Sequence, residues 1–127
     1  MIPLYIAAGG ALGAVARYAL GGWVHRWAGA GFPWGTFVVN VLGSLLIGFA
    51  LRTLEALPAS PELRALATIG LLGGFTTFST YTYETVAILR DGEWWRAAAY
   101  AFGSLAVGVA AVGVGLAAAG FVLDAGG

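Results

Sequence analysis

The stretch Gly70–Glu84, GLLGGFTTFSTYTYE, sets the terms for the whole chain. It lies inside an apolar run from Leu63 to Leu89, long enough at a helical rise to cross a bilayer. Its middle nevertheless holds two adjacent glycines followed by Thr76, Thr77, Ser79, Thr80 and Tyr81. Each glycine costs a helix interior roughly 1 kcal/mol relative to alanine. An unmade backbone hydrogen bond in lipid costs several kcal/mol more, so a break at this depth must be buried in protein or line a wet cavity. A span with a weakened, hydroxylated centre predicts a binding site rather than a mere anchor.

The rest of the composition leaves room only for more spans. The chain has 127 residues, 60% apolar and 9% charged, with mean hydropathy +0.87. A soluble domain of this size needs far more charge to cover its surface. The expectation is one integral membrane domain over residues 1–127, with spans at about 2–23, 34–54, 63–89 and 97–123. The start, MIPLYIAAGG, lacks the basic region of a cleavable signal peptide and reads as the beginning of the first span. There is no cysteine, which excludes thiolate chemistry. One histidine, His25, and six scattered acids do not suggest a metal-ligand cluster.

In the first span, Gly9, Gly13, Arg17 and Gly21 recur every four residues and share one face. Small residues at that spacing let another helix approach closely. Arg17 is different, because an arginine inside a span costs about 2.5–3.5 kcal/mol unless it snorkels or is paired. It reads either as an electrostatic aid to anion entry or as an interfacial anchor. Trp23 to Trp34 reads as a loop carrying Arg26 and an aromatic interface belt, and Trp94-Trp95-Arg96 as a second belt.

The second span carries a narrow stripe of Thr36, Asn40, Gly43, Ser44, Ile47 and Gly48 at i, i+3, i+4 spacing. Asn40 needs partners at mid-membrane, either as glue between helices or as lining of a pathway. In the fourth span, Tyr100, Ser104 and Gly108 fall four apart on one face. Arginine is spread almost evenly: Arg26, Arg90 and Arg96 opposite the termini, Arg52 and Arg64 beside them. So little positive-inside bias suggests a chain that inserts both ways and pairs head to tail.

A path made from Asn40, Thr77, Ser79, Thr80, Tyr100 and Ser104 is rich in donors and poor in fixed negative charge. Such a lining suits a small, strongly hydrated anion whose water must be replaced by hydrogen bonds. Phe75 and Phe78 flank the hydroxyls, and the positive edge of a ring can face an anion. At the break near Gly73-Gly74 and Thr76-Thr77, freed carbonyls could hold a cation while exposed N–H groups favour an anion. Glu84 fits less well, since ionised it only accepts, and it reads as a vestibule or interfacial residue.

GGALGAVARY (Gly9–Tyr18), GTFVVNVLGSLLIG (Gly35–Gly48) and GGFTTFST (Gly73–Thr80), in that order, resemble the Fluc family of fluoride channels. The resemblance implies an all-α membrane protein of four transmembrane helices, the third broken near the bilayer midplane, assembled as an antiparallel dual-topology homodimer. It implies passive, selective fluoride export across the plasma or inner membrane, lowering cytoplasmic fluoride, and no enzymatic activity. By motif position, Asn40 matches the pore asparagine and Phe78 the first pore phenylalanine. Ser79 and Thr80 match the polar track, with Glu84 at its end. Arg17 matches a vestibule arginine, and Tyr100 and Ser104 match pore-facing residues. The carbonyls of Gly73 and Thr76 from both subunits match a structural Na+ site at the dimer centre. Tyr81 stands where the family usually has a second phenylalanine, so its hydroxyl either donates to fluoride or perturbs an aromatic gate. No organic cofactor and no nucleic-acid partner is implied.

Two other readings fit the sequence less well. A small drug/proton antiporter needs an acid deep in a span, and the first, second and fourth spans have none before their ends. A non-transporting assembly subunit would leave Asn40 and the hydroxyl stripe unexplained.

Overall fold

The computed structural model describes residues 1–126, and every segment longer than a turn among them is helical. Helix α1 covers Ile2–Ala28 and opens with Pro3, which needs no N–H in a first turn. It runs on through Gly21, Gly22 and Trp23, so the loop expected from Trp23 to Trp34 shrinks to the few residues after Ala28. Two glycines subtract only about 2 kcal/mol from a long helix. What ends it is Gly29, whose φ of 82° suits a residue without a Cβ, followed by Pro33.

Helix α2 covers Trp34–Ala56 and α6 covers Trp94–Gly126. They pack against each other along most of their length. The contact is tight where both are small: a Cβ on Gly48 would press on the backbone of Val112, and one on Gly115 on the backbone of Phe49. Among the described residues, α1, α2 and α6 are the helices long and apolar enough to cross a membrane. At 33 residues, α6 is about 50 Å long against a hydrocarbon core of about 30 Å, more than enough to cross it even when tilted. All five tryptophans fall at one end of the bundle, at the close of α1 and the starts of α2 and α6, each exposed.

Between α2 and α6 the chain makes a segmented rod. Helix α3, Pro61–Arg64, starts with Ser60 as its cap, the Oγ accepting from the Leu63 N–H at 3.1 Å, and has Glu62 in the first turn. A π-helical stretch follows over Ala65–Leu72. At its mouth, the Thr68 hydroxyl donates to the Arg64 carbonyl at 2.7 Å, a side-chain competition that loosens helical turns. Helix α4, Gly73–Phe75, continues the rod, and α5, Phe78–Arg90, resumes it after two extended residues.

Helix α1 lies along the first part of this rod. Gly9 and Gly13 are buried there, and a Cβ on either would come within 2.8 Å of a rod backbone nitrogen, that of Leu71 or of Phe75. The four-residue glycine spacing in α1 is thus a docking seam. Helix α5 is packed differently: it rests mainly on α6 and buries none of its own residues.

Candidate functional site

The site forms where the rod is interrupted. Gly73 is α-helical (φ −63°, ψ −38°), while Thr76 (φ −84°, ψ 159°) and Thr77 (φ −146°, ψ 121°) are extended. Within the expected stretch, the interruption therefore lies at the two threonines, and the two glycines remain helical. Gly74 is needed for clearance, since a Cβ there would sit 2.9 Å from the Gly10 carbonyl oxygen of α1, whereas one on Gly73 would meet only the Thr68 carbonyl oxygen, at 3.4 Å.

Asn40 on α2 holds the interruption open. Its Nδ2 donates to the Thr77 carbonyl at 2.9 Å, and its Oδ1 accepts from the Thr77 N–H at 2.8 Å. One primary amide thus replaces both backbone bonds that a helix would have supplied to Thr77. Thr77 then caps α5, its Oγ1 accepting from the Thr80 N–H at 3.2 Å and donating to the Thr80 hydroxyl at 3.1 Å. Thr76 stays tied to the first half of the rod, with its N–H and hydroxyl both donating to the Leu72 carbonyl.

These bonds fix which carbonyls are left over. In an unbroken helix, the Gly73, Gly74 and Thr76 carbonyls would accept from Thr77, Phe78 and Thr80. The Thr77 N–H is committed to Asn40 and the Thr80 N–H to Thr77 Oγ1. Arg17 Nε donates to the Gly74 carbonyl at 3.3 Å. The Gly73, Phe75 and Thr76 carbonyls are thereby left without helical donors, as hard oxygens beside the interruption.

A groove of about 490 Å³ opens against these groups, lined by Asn40, Gly73, Thr76, Thr77, Phe78, Tyr81 and Ser104 among others, with Leu72, Leu105 and Val109 among its apolar walls. No acid lines it. The Ser104 hydroxyl is buried without a hydrogen-bond partner among the described residues. One Nδ2 hydrogen of Asn40 serves Thr77, and an amide nitrogen carries two. The groove therefore has two donors with capacity to spare and no negative charge to repel an anion. A second hollow of about 210 Å³ also reaches Thr77, lined by Arg17, Thr36, Thr77 and Thr80 among others.

The remaining candidates are distributed unevenly. Tyr100 lines neither hollow. It is fully buried, edge-on to Phe32 and 5.3 Å from the Tyr81 ring, and its hydroxyl donates to Glu84 Oε1 at 3.1 Å. Glu84, expected from sequence at a vestibule or interface, is thus tied into the packing of α5 on α6. Tyr81 donates its hydroxyl to the Ala101 carbonyl of α6, while its ring lies 5.9 Å from that of Phe78. Ser79 is exposed and lines neither hollow. Phe78 lines the groove yet remains 76% exposed. Ser44 and Thr68 also line the groove. Ser44 shares the α2 stripe with Asn40 and was readable from helical period, whereas Thr68 sits in the π-helical stretch, where an α-helical register does not hold.

The family model for CrcB-like protein, Camphor Resistance (CrcB), matches residues 4–116. A protein of Thermus thermophilus named fluoride-specific ion channel FluC is 54% identical over 106 residues, 84% of each chain. One of the same name from Geobacter sulfurreducens is 51% identical over 105 residues, covering 82% of this chain and 85% of the relative. Another from Acidobacterium capsulatum is 46% identical over 110 residues, with coverage of 86% and 88%. Motif order, helical architecture and likeness over most of its length agree, and the chain belongs to the CrcB-like family of multi-pass membrane proteins.

Proposed function

We propose that this chain forms a fluoride-selective channel that lets fluoride leave the cell passively, an ion pathway rather than an enzyme. The observation that carries the reading is the acid-free groove at the rod's interruption, where the Asn40 amide and Ser104 hydroxyl can donate to an anion. Fluoride must exchange its water for hydrogen bonds of similar strength, and donors without opposing carboxylates supply them. The relatives' name, fluoride-specific ion channel, points the same way. A proton-coupled antiporter would need a carboxylate on the groove, and none is there.

In this reading, the segments on either side of Thr76 and Thr77 are one membrane crossing, the third of four, interrupted near the bilayer midplane. Asn40, Thr77, Phe78, Tyr81 and Ser104 form the fluoride path, with Ser79 and Thr80 extending it toward Glu84 and Tyr100. Arg17 lies at its vestibule. The functional unit is an antiparallel homodimer of dual topology in the plasma or inner membrane. Supporting the second copy, α5 buries no residue in the single chain, and Phe78 and Tyr83 are 76% and 70% exposed. In this reading the Gly73 and Thr76 carbonyls of two copies would together present four hard oxygens to Na+. The ion, when bound, would contribute positive charge at the midplane.

The reading is tested by fluoride release from liposomes holding the purified protein, followed with an ion-selective electrode. Valinomycin should trigger rapid fluoride release and no comparable chloride release; absence of fluoride release would sink the proposal. Tyr81→Phe gives a narrower check. Because the hydroxyl proton is spent on Ala101, its loss should cost about 1 kcal/mol of stability and leave fluoride release within about threefold of the parent. A collapse of release in Tyr81→Phe would mean that the hydroxyl serves the ion.

A further inference from the structure

The position of Arg17 suggests a role that its place near an entrance does not explain. Helix α1 lies so close to α4 that a Cβ on Gly74 would press on the backbone of Gly10. That proximity brings the half-buried Arg17 Nε to the Gly74 carbonyl at 3.3 Å. In a continuous helix this carbonyl would accept from the Phe78 N–H, which here belongs to the first turn of α5 instead. The guanidinium also sits at the C-terminal end of a half-helix, where the backbone dipole favours positive charge.

We infer that Arg17 is a positioning residue that caps the interrupted rod, taking the Gly74 carbonyl out of the set left for a cation. Arg17 acts through the backbone it holds. Arg17 also lines the 210 Å³ hollow, together with Thr77 and Thr80. The inference rests on the proposed function only for the cation; the cap itself is a matter of backbone accounting.

Amide hydrogen exchange in nanodiscs tests it at the Thr76, Thr77 and Thr80 N–H groups, whose partners at the interruption are defined. Arg17→Met, of similar bulk but without a donor, should exchange at least tenfold faster there. Arg17→Lys, which keeps a charged donor, should stay within threefold of the parent. The Met variant should also lose most of the thermal stabilisation that Na+ gives the parent over N-methylglucamine. Exchange within twofold of the parent in Arg17→Met would overturn the cap. Should the Met variant not fold, dipolar recoupling between ¹⁵Nε-labelled arginine and ¹³C-carbonyl Gly74 in the parent decides: contact supports the cap and its absence refutes it. None of these readouts needs fluoride flux, so a parent without fluoride release would defeat the channel reading while leaving the cap standing.

Discussion

Asn40→Asp should lower fluoride release by at least about 100-fold, the largest effect expected of any single substitution on the groove. The parent amide meets Thr77 twice, donating to its carbonyl at 2.9 Å and accepting from its N–H at 2.8 Å. An aspartate keeps the second bond and inverts the first, setting a carboxylate oxygen against a carbonyl oxygen. The unsatisfied carbonyl alone costs about 1–3 kcal/mol, and a carboxylate within a span adds about 2.5–3.5 kcal/mol. That negative charge also faces the anion in an otherwise acid-free groove. A penalty near 2.7 kcal/mol on the rate already corresponds to about a hundredfold, so the charge is sufficient even if the fold absorbs the rest. Size-exclusion chromatography separates the two contributions by showing whether the variant still assembles. Fluoride release within threefold of the parent would reduce Asn40 to a structural clamp and remove the donor-lined path.

The same residue shows where sequence reasoning reached and where it stopped. Helical period sufficed to put Thr36, Asn40, Gly43, Ser44, Ile47 and Gly48 on one stripe; Asn40, Gly43, Ser44 and Ile47 line the groove, while Thr36 lines the second hollow and Gly48 packs on α6. Glycine spacing sufficed for the α1 seam, because exclusion of a Cβ is a local steric demand visible in residue type. The sequence places the break only to within Gly73–Thr77. Propensity marks Gly73-Gly74, but the helix yields at Thr76 and Thr77, where a partner 37 residues away offers both a donor and an acceptor. A competing tertiary bond of that kind leaves no trace in local propensity. The π-helical stretch was hidden for a related reason, since Ala65–Leu72 reads as an ordinary apolar helix. Tyr81 and Glu84 could be recognised as unusual groups in a span. Their partners, the Ala101 carbonyl and the Tyr100 hydroxyl, depend on how α5 rests on α6, and no spacing encodes that.

Gly13→Ala should destabilise the protein by about 3 kcal/mol, the upper range for forcing a methyl group into a packed interior, whereas Gly22→Ala in the same helix should stabilise it by up to about 1 kcal/mol. The two differ only in what the new Cβ meets. At Gly22 nothing lies within 4 Å, so the substitution contributes its helix propensity alone. At Gly13 the methyl group would sit 2.8 Å from the Phe75 nitrogen and overlap the Leu71 carbonyl. Both obstacles are backbone and cannot rotate aside, so α1 must move away from the rod. Because Arg17 is one helical turn further along, that movement would also draw its guanidinium from the Gly74 carbonyl. Reversible unfolding in mixed micelles measures the stability of both variants, and equal stabilities would show that the seam tolerates a shift. Amide exchange at Thr77 and Thr80 follows the second consequence. A Gly13→Ala protein that unfolds early yet retains parental exchange at those amides would mean the interruption is held by Asn40 alone, with α1 contributing packing but no part of the site.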